Sequence, residues 1–253
     1  MKHHWPKPNW RRCVTPVFVA AVLLGGGNAI AQTVPAVGRI EINGAGHCSA
    51  VLIAPDQVLT AAHCLFDPAT GARLPAQDIV FQAGFSHGRA MAFRQIRRMT
   101  VHPDHRPDTA PSGNAARSAA DLALLQLFQP VTALSGITPL VIAPVFPREG
   151  AVTLVGYGSG AASYVQQRES CDRHGADGAV LLFACHVERG ASGAPLLAER
   201  GDAVQIISLV SAVGQVGGVD LAVGVDVPAQ IGALRAAFDA DAALGAEPRT
   251  SRR

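Results

Sequence analysis

Beyond residue 7 this 253-residue chain contains no lysine. That excludes a serine–lysine dyad from the rest of the sequence, because such a dyad needs an amine as its base. Charge of either sign is sparse, at 16% of residues, and the formal net charge is only +2. That balance offers no basic patch for nucleic acid. No apolar run approaches the about 20 residues that a membrane-spanning helix requires. No H-E-x-x-H zinc motif occurs, and there is no internal repeat. "GYGSG", residues 156–160, does not have the G-x-G-x-x-G spacing of a dinucleotide turn. No histidine follows His186, which removes hydrolases whose base comes after their serine.

The first 31 residues separate from the rest. Lys2, Lys7, Arg11 and Arg12 precede an apolar run from Val14 to Leu24, and Ala29-Ile30-Ala31 comes after it. Basic, apolar and small-residue regions in that order read as a secretory signal peptide, residues 1–31. The expected location is secreted or periplasmic, with no stable membrane association. The remainder holds 17 arginines against 19 acids, a net charge of −2. It keeps Cys48, Cys64, Cys171 and Cys185. An even number in an exported chain implies two disulfides, with three pairings open. Neither sequence-adjacent pair has the C-x₂₋₄-C spacing of a zinc site, so no metal and no cofactor are expected.

Short apolar or alternating runs dominate the chain after the leader. "CSAVLIAPDQVLTAAHC" is two such runs around Ala54-Pro55-Asp56-Gln57, which predicts a hairpin. "DIVFQAGF", "DLALLQL", "AVTLVGYG", "AVLLFACHV" and "VQIISLVSAVG" are further strand candidates. Many short strands divided by turn residues point to barrels or sandwiches. Residues 228–244 instead space Ile231, Leu234 and Phe238 helically, behind Pro228. Residues 129–150 read as a proline-rich connector and 106–121 as a polar surface loop. The tail "GAEPRTSRR" carries no structural signal. His102 and His105, in "HPDH", read as solvated loop residues rather than metal ligands.

The chemistry centres on "VERGASGAPLL", residues 187–197. Ser192 stands between glycines, which lets a tight turn expose its hydroxyl, and a serine needs a base to become a nucleophile. The base must lie upstream. His63 is the best candidate, because it ends the hairpin's second strand against Cys64. Asp121, at the head of the apolar run "DLALLQL", can orient it from the edge of a core. Asp104 and Asp108 lie in the polar loop and are poorer partners.

"LTAAHC", "DLALLQL" and "GASGAP", in that order, resemble the trypsin/chymotrypsin-like serine peptidases over about residues 38–240. The resemblance implies an all-β fold of two packed antiparallel six-stranded barrels with a C-terminal helix. It divides the chain into an N-terminal barrel at 32–130, a C-terminal barrel at 131–228, and a helix and tail at 229–253. It implies a monomeric secreted serine endopeptidase acting on polypeptides through His63, Asp121 and Ser192. The N–H groups of Gly190 and Ser192 then form the oxyanion hole, and Ser211 lies beside Asp121. Cys48 and Cys64 match the family's disulfide flanking its histidine, leaving Cys171 with Cys185. His186, Val210 and Ser211 fall at substrate-binding positions. A binding module that has lost activity is disfavoured because no triad member is missing; an esterase shares the triad.

The sequence also departs from the family's digestive members. Ala191 stands where those carry an acid before the serine, and the Ile-Val-Gly-Gly start is absent. The pattern is nearer to secreted bacterial members, including the V8/glutamyl-endopeptidase-like branch. The oxyanion turn must then be held without an activation ion pair, and the Cys171–Cys185 segment and the Gly190 turn are the expected supports. His186 and Val210 match neither the tryptic nor the glutamate-specific pattern.

Overall fold

A computed structural model describes Met1 and residues 34–43, 46–107, 118–147, 149–201, 203–216 and 218–246. The expected signal peptide, most of the 106–121 loop and the end of the tail lie outside the described residues.

Six strands make the first barrel: β1 (Val37–Ile42), β2 (Gly46–Ala54), β3 (Gln57–Thr60), β4 (Ile79–Ala83), β5 (Ala92–Val101) and β6 (Ala123–Leu127). They pair antiparallel in the order β1-β2-β3-β6-β5-β4, and β1 on β4 closes the ring. The expected hairpin is β2–β3, turning at Pro55-Asp56. Side chains alternate across a strand. Accordingly Ala123, Leu125 and Leu127 of β6 fill this barrel, while Leu124 faces a second apolar layer.

The second barrel is built from β8 (Val152–Gly156), β9 (Gln167–Asp177), β10 (Val180–Ala184), β11 (Pro195–Arg200), β12 (Ala203–Val216) and β13 (Val219–Asp226). Its order is β11-β8-β9-β10-β13-β12, closed by β11 on β12. A two-residue strand, β7 (Val141–Ile142), lies parallel on the edge of β12. It comes from the proline-rich connector, which is otherwise free of long elements.

The two barrels share a seam. Val51, Leu59 and Leu124 from the first belong to one buried cluster with Val155, Leu197 and Leu209 from the second. Helix α1 (Val227–Ala246) adds Ile231, Leu234 and Phe238 to the same cluster. Burying one such side chain contributes about 1.5–3 kcal/mol. Pro228 suits the first helical turn, and Asp226 Oδ1 accepts a hydrogen bond from the Ala229 N–H at 3.1 Å. At the far side Arg98 of β5 lies 3.7 Å over the Phe238 ring, tying the helix to the first barrel. No described helix is long and apolar enough to cross a membrane.

Both expected disulfides form. Cys48 of β2 joins Cys64, and Cys171 of β9 joins Cys185 just past β10. Each closes a local loop within one barrel.

Candidate active site

His63 sits in a short 3-10 turn, Ala62–Leu65, directly after β3. Its neighbours Ala61, Ala62 and Leu65 are wholly buried, and Cys64 is anchored to β2. The imidazole, by contrast, keeps 44% of its surface exposed. Asp121 precedes β6 and is almost fully buried. Its Oδ1 accepts the His63 backbone N–H at 2.8 Å, and its Oδ2 faces His63 Nδ1 at 2.6 Å. Ser211 Oγ donates to the same Oδ2 at 2.6 Å. A carboxylate only accepts, so His63 donates from Nδ1 and keeps the lone pair on Nε2. That is the tautomer a general base needs.

The electrostatics agree with this geometry. Burial alone would lower the His63 pKa, but the Asp121 charge and hydrogen bond carry it above the ordinary 6.5. Burial alone would raise the Asp121 carboxyl. The His63 charge, with hydrogen bonds from His63 and Ser211, outweighs burial and holds it below the usual carboxylate range.

Ser192 lies in the turn before β11, half-buried. Ala191 N donates to Glu188 O at 3.2 Å, and Ala194 N to Ala191 O at 2.8 Å. Gly190 and Gly193 have φ of 93° and 79°, a region that L side chains rarely adopt. Gly193 lies so close over the first barrel that any side chain there would strike the Ser49 carbonyl, the Thr60 hydroxyl and the Ala61 amide. The serine turn is thereby packed against the chain two residues ahead of His63. Ser49 N also donates to Ser192 O at 2.8 Å. The turn that carries Ser192 and the segment that leads to His63 thus pack against each other across the seam between the barrels.

Val210 is 1% exposed, and its side chain belongs to the second barrel's core. Its backbone meets the turn instead: Gly193 N donates to Val210 O at 2.7 Å and Val210 N to Ala194 O at 2.9 Å. His186 is exposed, with Nδ1 3.7 Å from Asp220 and Nε2 3.7 Å from Glu188. Two residues past Ser211, β12 borders a cavity of about 340 Å³, lined by Val187, Val213, Gly214, Gln215, Asp220 and Leu221. The sulfurs nearest His63 are bonded to each other and offer no thiolate to a metal.

The family model of the trypsin-like peptidase domain matches residues 48–206, more than half of the chain. The chain belongs to the trypsin-like peptidase family. Serine protease 56 of Mus musculus is similar to it, 31% identical over 120 residues. That match covers 47% of this chain and 18% of the mouse protein, so the chain spans less than a fifth of that relative. Among solved structures, a thermostable serine protease, AL20, from an extremophilic microorganism has the same fold. It has a TM-score of 0.62 and 20% identity, covering 81% of this chain and 98% of its own. A Glu endopeptidase solved in complex with MPD gives a TM-score of 0.64 at 19% identity, covering 85% and 94% respectively. Both likenesses are of fold.

Four neighbours of the site are not legible as such in the sequence. Ser49 and His47 carry no motif; only their placement on β2 beside the serine turn marks them. Asp220 is 5 residues from Gln215 in sequence but faces it across the β12–β13 hairpin, and this brings it to His186. His105 corrects the reading of "HPDH" as a solvated pair. Its side chain is 7% exposed, its ring lies 5.5 Å from that of Phe66, and its Nδ1 stands 3.9 Å from Asp121 Oδ1. His102 is 1% exposed, and its backbone N–H donates to Leu122 O, continuing the β5–β6 pairing.

Proposed function

We propose that the protein is an exported serine endopeptidase that cleaves polypeptides through His63, Asp121 and Ser192. The observation that carries the reading is the buried Asp121 carboxylate, which takes two hydrogen bonds from His63 and one from Ser211. Burying a carboxylate is costly unless it is paired, and here its pairing sets a histidine for base work.

The reaction has two halves, acylation and deacylation. Ser192 Oγ attacks the scissile carbonyl carbon while His63 Nε2 takes the hydroxyl proton. The new oxyanion is received by the N–H groups of Gly190 and Ser192, a pair of donors in which each is worth about 3–4 kcal/mol. The intermediate collapses, the C–N bond breaks, and His63 gives its proton to the leaving amine. Water then enters, His63 takes one proton from it, and the hydroxide attacks the acyl-enzyme ester. The acid leaves and Ser192 regains its proton. Throughout, Asp121 stays ionised and steadies the imidazolium.

The cavity beyond Ser211 is then the receptor for the substrate side chain before the cut. Asp220 on its wall disfavours an acidic side chain there.

The test is hydrolysis of an unstructured protein and of a fluorogenic peptide library by the purified chain. Cleavage that disappears in Ser192→Ala supports the reading. Cleavage that survives the substitution, or none in the parent chain, removes it.

A further inference from the structure

No acid stands directly before Ser192 to hold its turn. Ala191, buried and apolar, stands between its two working N–H groups. Glycine adopts positive and negative φ about equally, so the local sequence leaves the turn free to flip. Part of what fixes it comes from the other barrel. Ser49, wholly buried on β2, has each of its polar groups engaged there. Its Oγ donates to Gly190 O at 3.1 Å and accepts from Tyr157 N at 2.9 Å. Its N–H donates to Ser192 O, and its carbonyl accepts from Thr60 Oγ1 at 2.7 Å. His47, on the same face of β2 two residues earlier, donates from Nε2 to Gly158 O at 3.0 Å. A Cβ added to Gly190 would lie 2.8 Å from His47 Nε2 and 2.9 Å from Gly158 O, so ring and carbonyl enclose that glycine.

Peptide by peptide, these contacts pin the turn. The Gly190–Ala191 unit is held by Ser49 Oγ and Glu188 O. The Ala191–Ser192 unit is held through Ala191 O by Ala194 N, and the Ser192–Gly193 unit by Ser49 N and Val210 O. Only the Arg189–Gly190 unit remains, and its N–H direction follows the φ of Gly190, beside which His47 and Gly158 leave no room for a Cβ.

We propose that Ser49, assisted by His47, is a positioning residue for the oxyanion hole: strand β2 of the first barrel holds the N–H groups of Gly190 and Ser192 in their working direction. This rests on the endopeptidase function proposed above. It adds β2 to the Cys171–Cys185 segment and the Gly190 turn as a support of the oxyanion hole.

The experiment compares Ser49→Ala, His47→Gln and His47→Leu with the parent chain. Misplacing a catalytic group by about 1 Å costs on the order of 100-fold. Ser49→Ala should therefore lose about that factor in kcat, with KM changed by less than about twofold. Affinity for a peptide aldehyde should fall with kcat. The aldehyde adds to Ser192 Oγ, whose proton passes to His63, and its new oxyanion uses the same donors. His47→Gln, which keeps a donor, should retain more activity than His47→Leu.

Amide hydrogen exchange supplies a reading independent of hydrolysis. Ala191, Gly193 and Ala194 should exchange faster in Ser49→Ala, while Val80 to Gln82 in β4 stay unchanged. Unchanged exchange at the turn with unchanged kcat overturns the proposal. Faster exchange throughout the chain also overturns it, because Ser49 is then merely structural. If the turn loosens but the parent chain shows no Ser192-dependent hydrolysis, the clamp stands and the endopeptidase reading fails.

Discussion

The first barrel presents His63 and Asp121 on segments flanked by wholly buried residues and a disulfide, whereas the second presents Ser192 on a turn of glycine and alanine. In the first, backbone position is set by the barrel's own core. In the second, much of the turn's hydrogen bonding is supplied from outside, by Ser49 on the opposite side of the seam. The strands differ as well. β6 is buried along most of its length, while β9 and the far half of β12 are largely solvent-facing. A base and its carboxylate need a rigid, shielded mount. Under the function proposed above, the serine turn sits on the more open barrel and the rigid one holds it.

Substitutions can break this division of labour. The largest effect is expected from Asp121→Asn, which should lower kcat by about 10⁴-fold, because an amide does not impose the base tautomer on His63. The remaining activity should extend to lower pH, since the carboxylate that raises the His63 pKa is gone. Steady-state kinetics from pH 5 to 9 checks both. Next, Leu124→Ala should cost about 2–5 kcal/mol in urea unfolding, because it opens a cavity in the seam.

The two disulfides differ in what they anchor. Loops of 16 and 14 residues predict similar stabilisation, about 3 kcal/mol each in the chain-entropy model. Replacing Cys48 and Cys64 by serine should in addition lower kcat, since that bond anchors the residue after His63. Replacing Cys171 and Cys185 should act on stability more than on kcat. Denaturation midpoints and turnover numbers, taken on the same samples, separate the two.

A smaller effect is expected from Ser211→Ala, about 1.5–3 kcal/mol of stability at neutral pH, for a hydrogen bond to a charged group. The Asp121 carboxyl is depressed in the fold. Its stabilisation is therefore present above the unfolded value of 3.8 and is lost as pH falls through the lower folded value. Ser211→Ala should make acid unfolding begin at a higher pH, which circular dichroism would follow.

Much of this division is written in the sequence. The β2–β3 hairpin, β6 and α1 are visible because their apolar spacing matches a single buried face. The approach of His63 to Asp121 is foreshadowed by motifs at the two strand ends. Strands β5 and β9 are obscured because they carry charged and polar side chains on exposed faces, such as Arg97 and Asp172. The role of Ser49 is invisible because it depends on a contact with Gly190 across 141 residues, between two barrels that no local pattern relates. Asp220 is hidden for a similar reason, since only the register of β12 on β13 brings it to His186.

Activation of Ser192 by His63 can be followed chemically. It is tested most directly by the rate at which a fluorophosphonate labels the protein, followed by intact mass from pH 5 to 9, with the modified residue mapped. One label per chain is expected, on Ser192. Its rate should rise with pH through a single limb above the ordinary imidazole value of 6.5 and be lost in His63→Ala. Labelling of another residue, a rate indifferent to pH, or undiminished labelling in His63→Ala would contradict it.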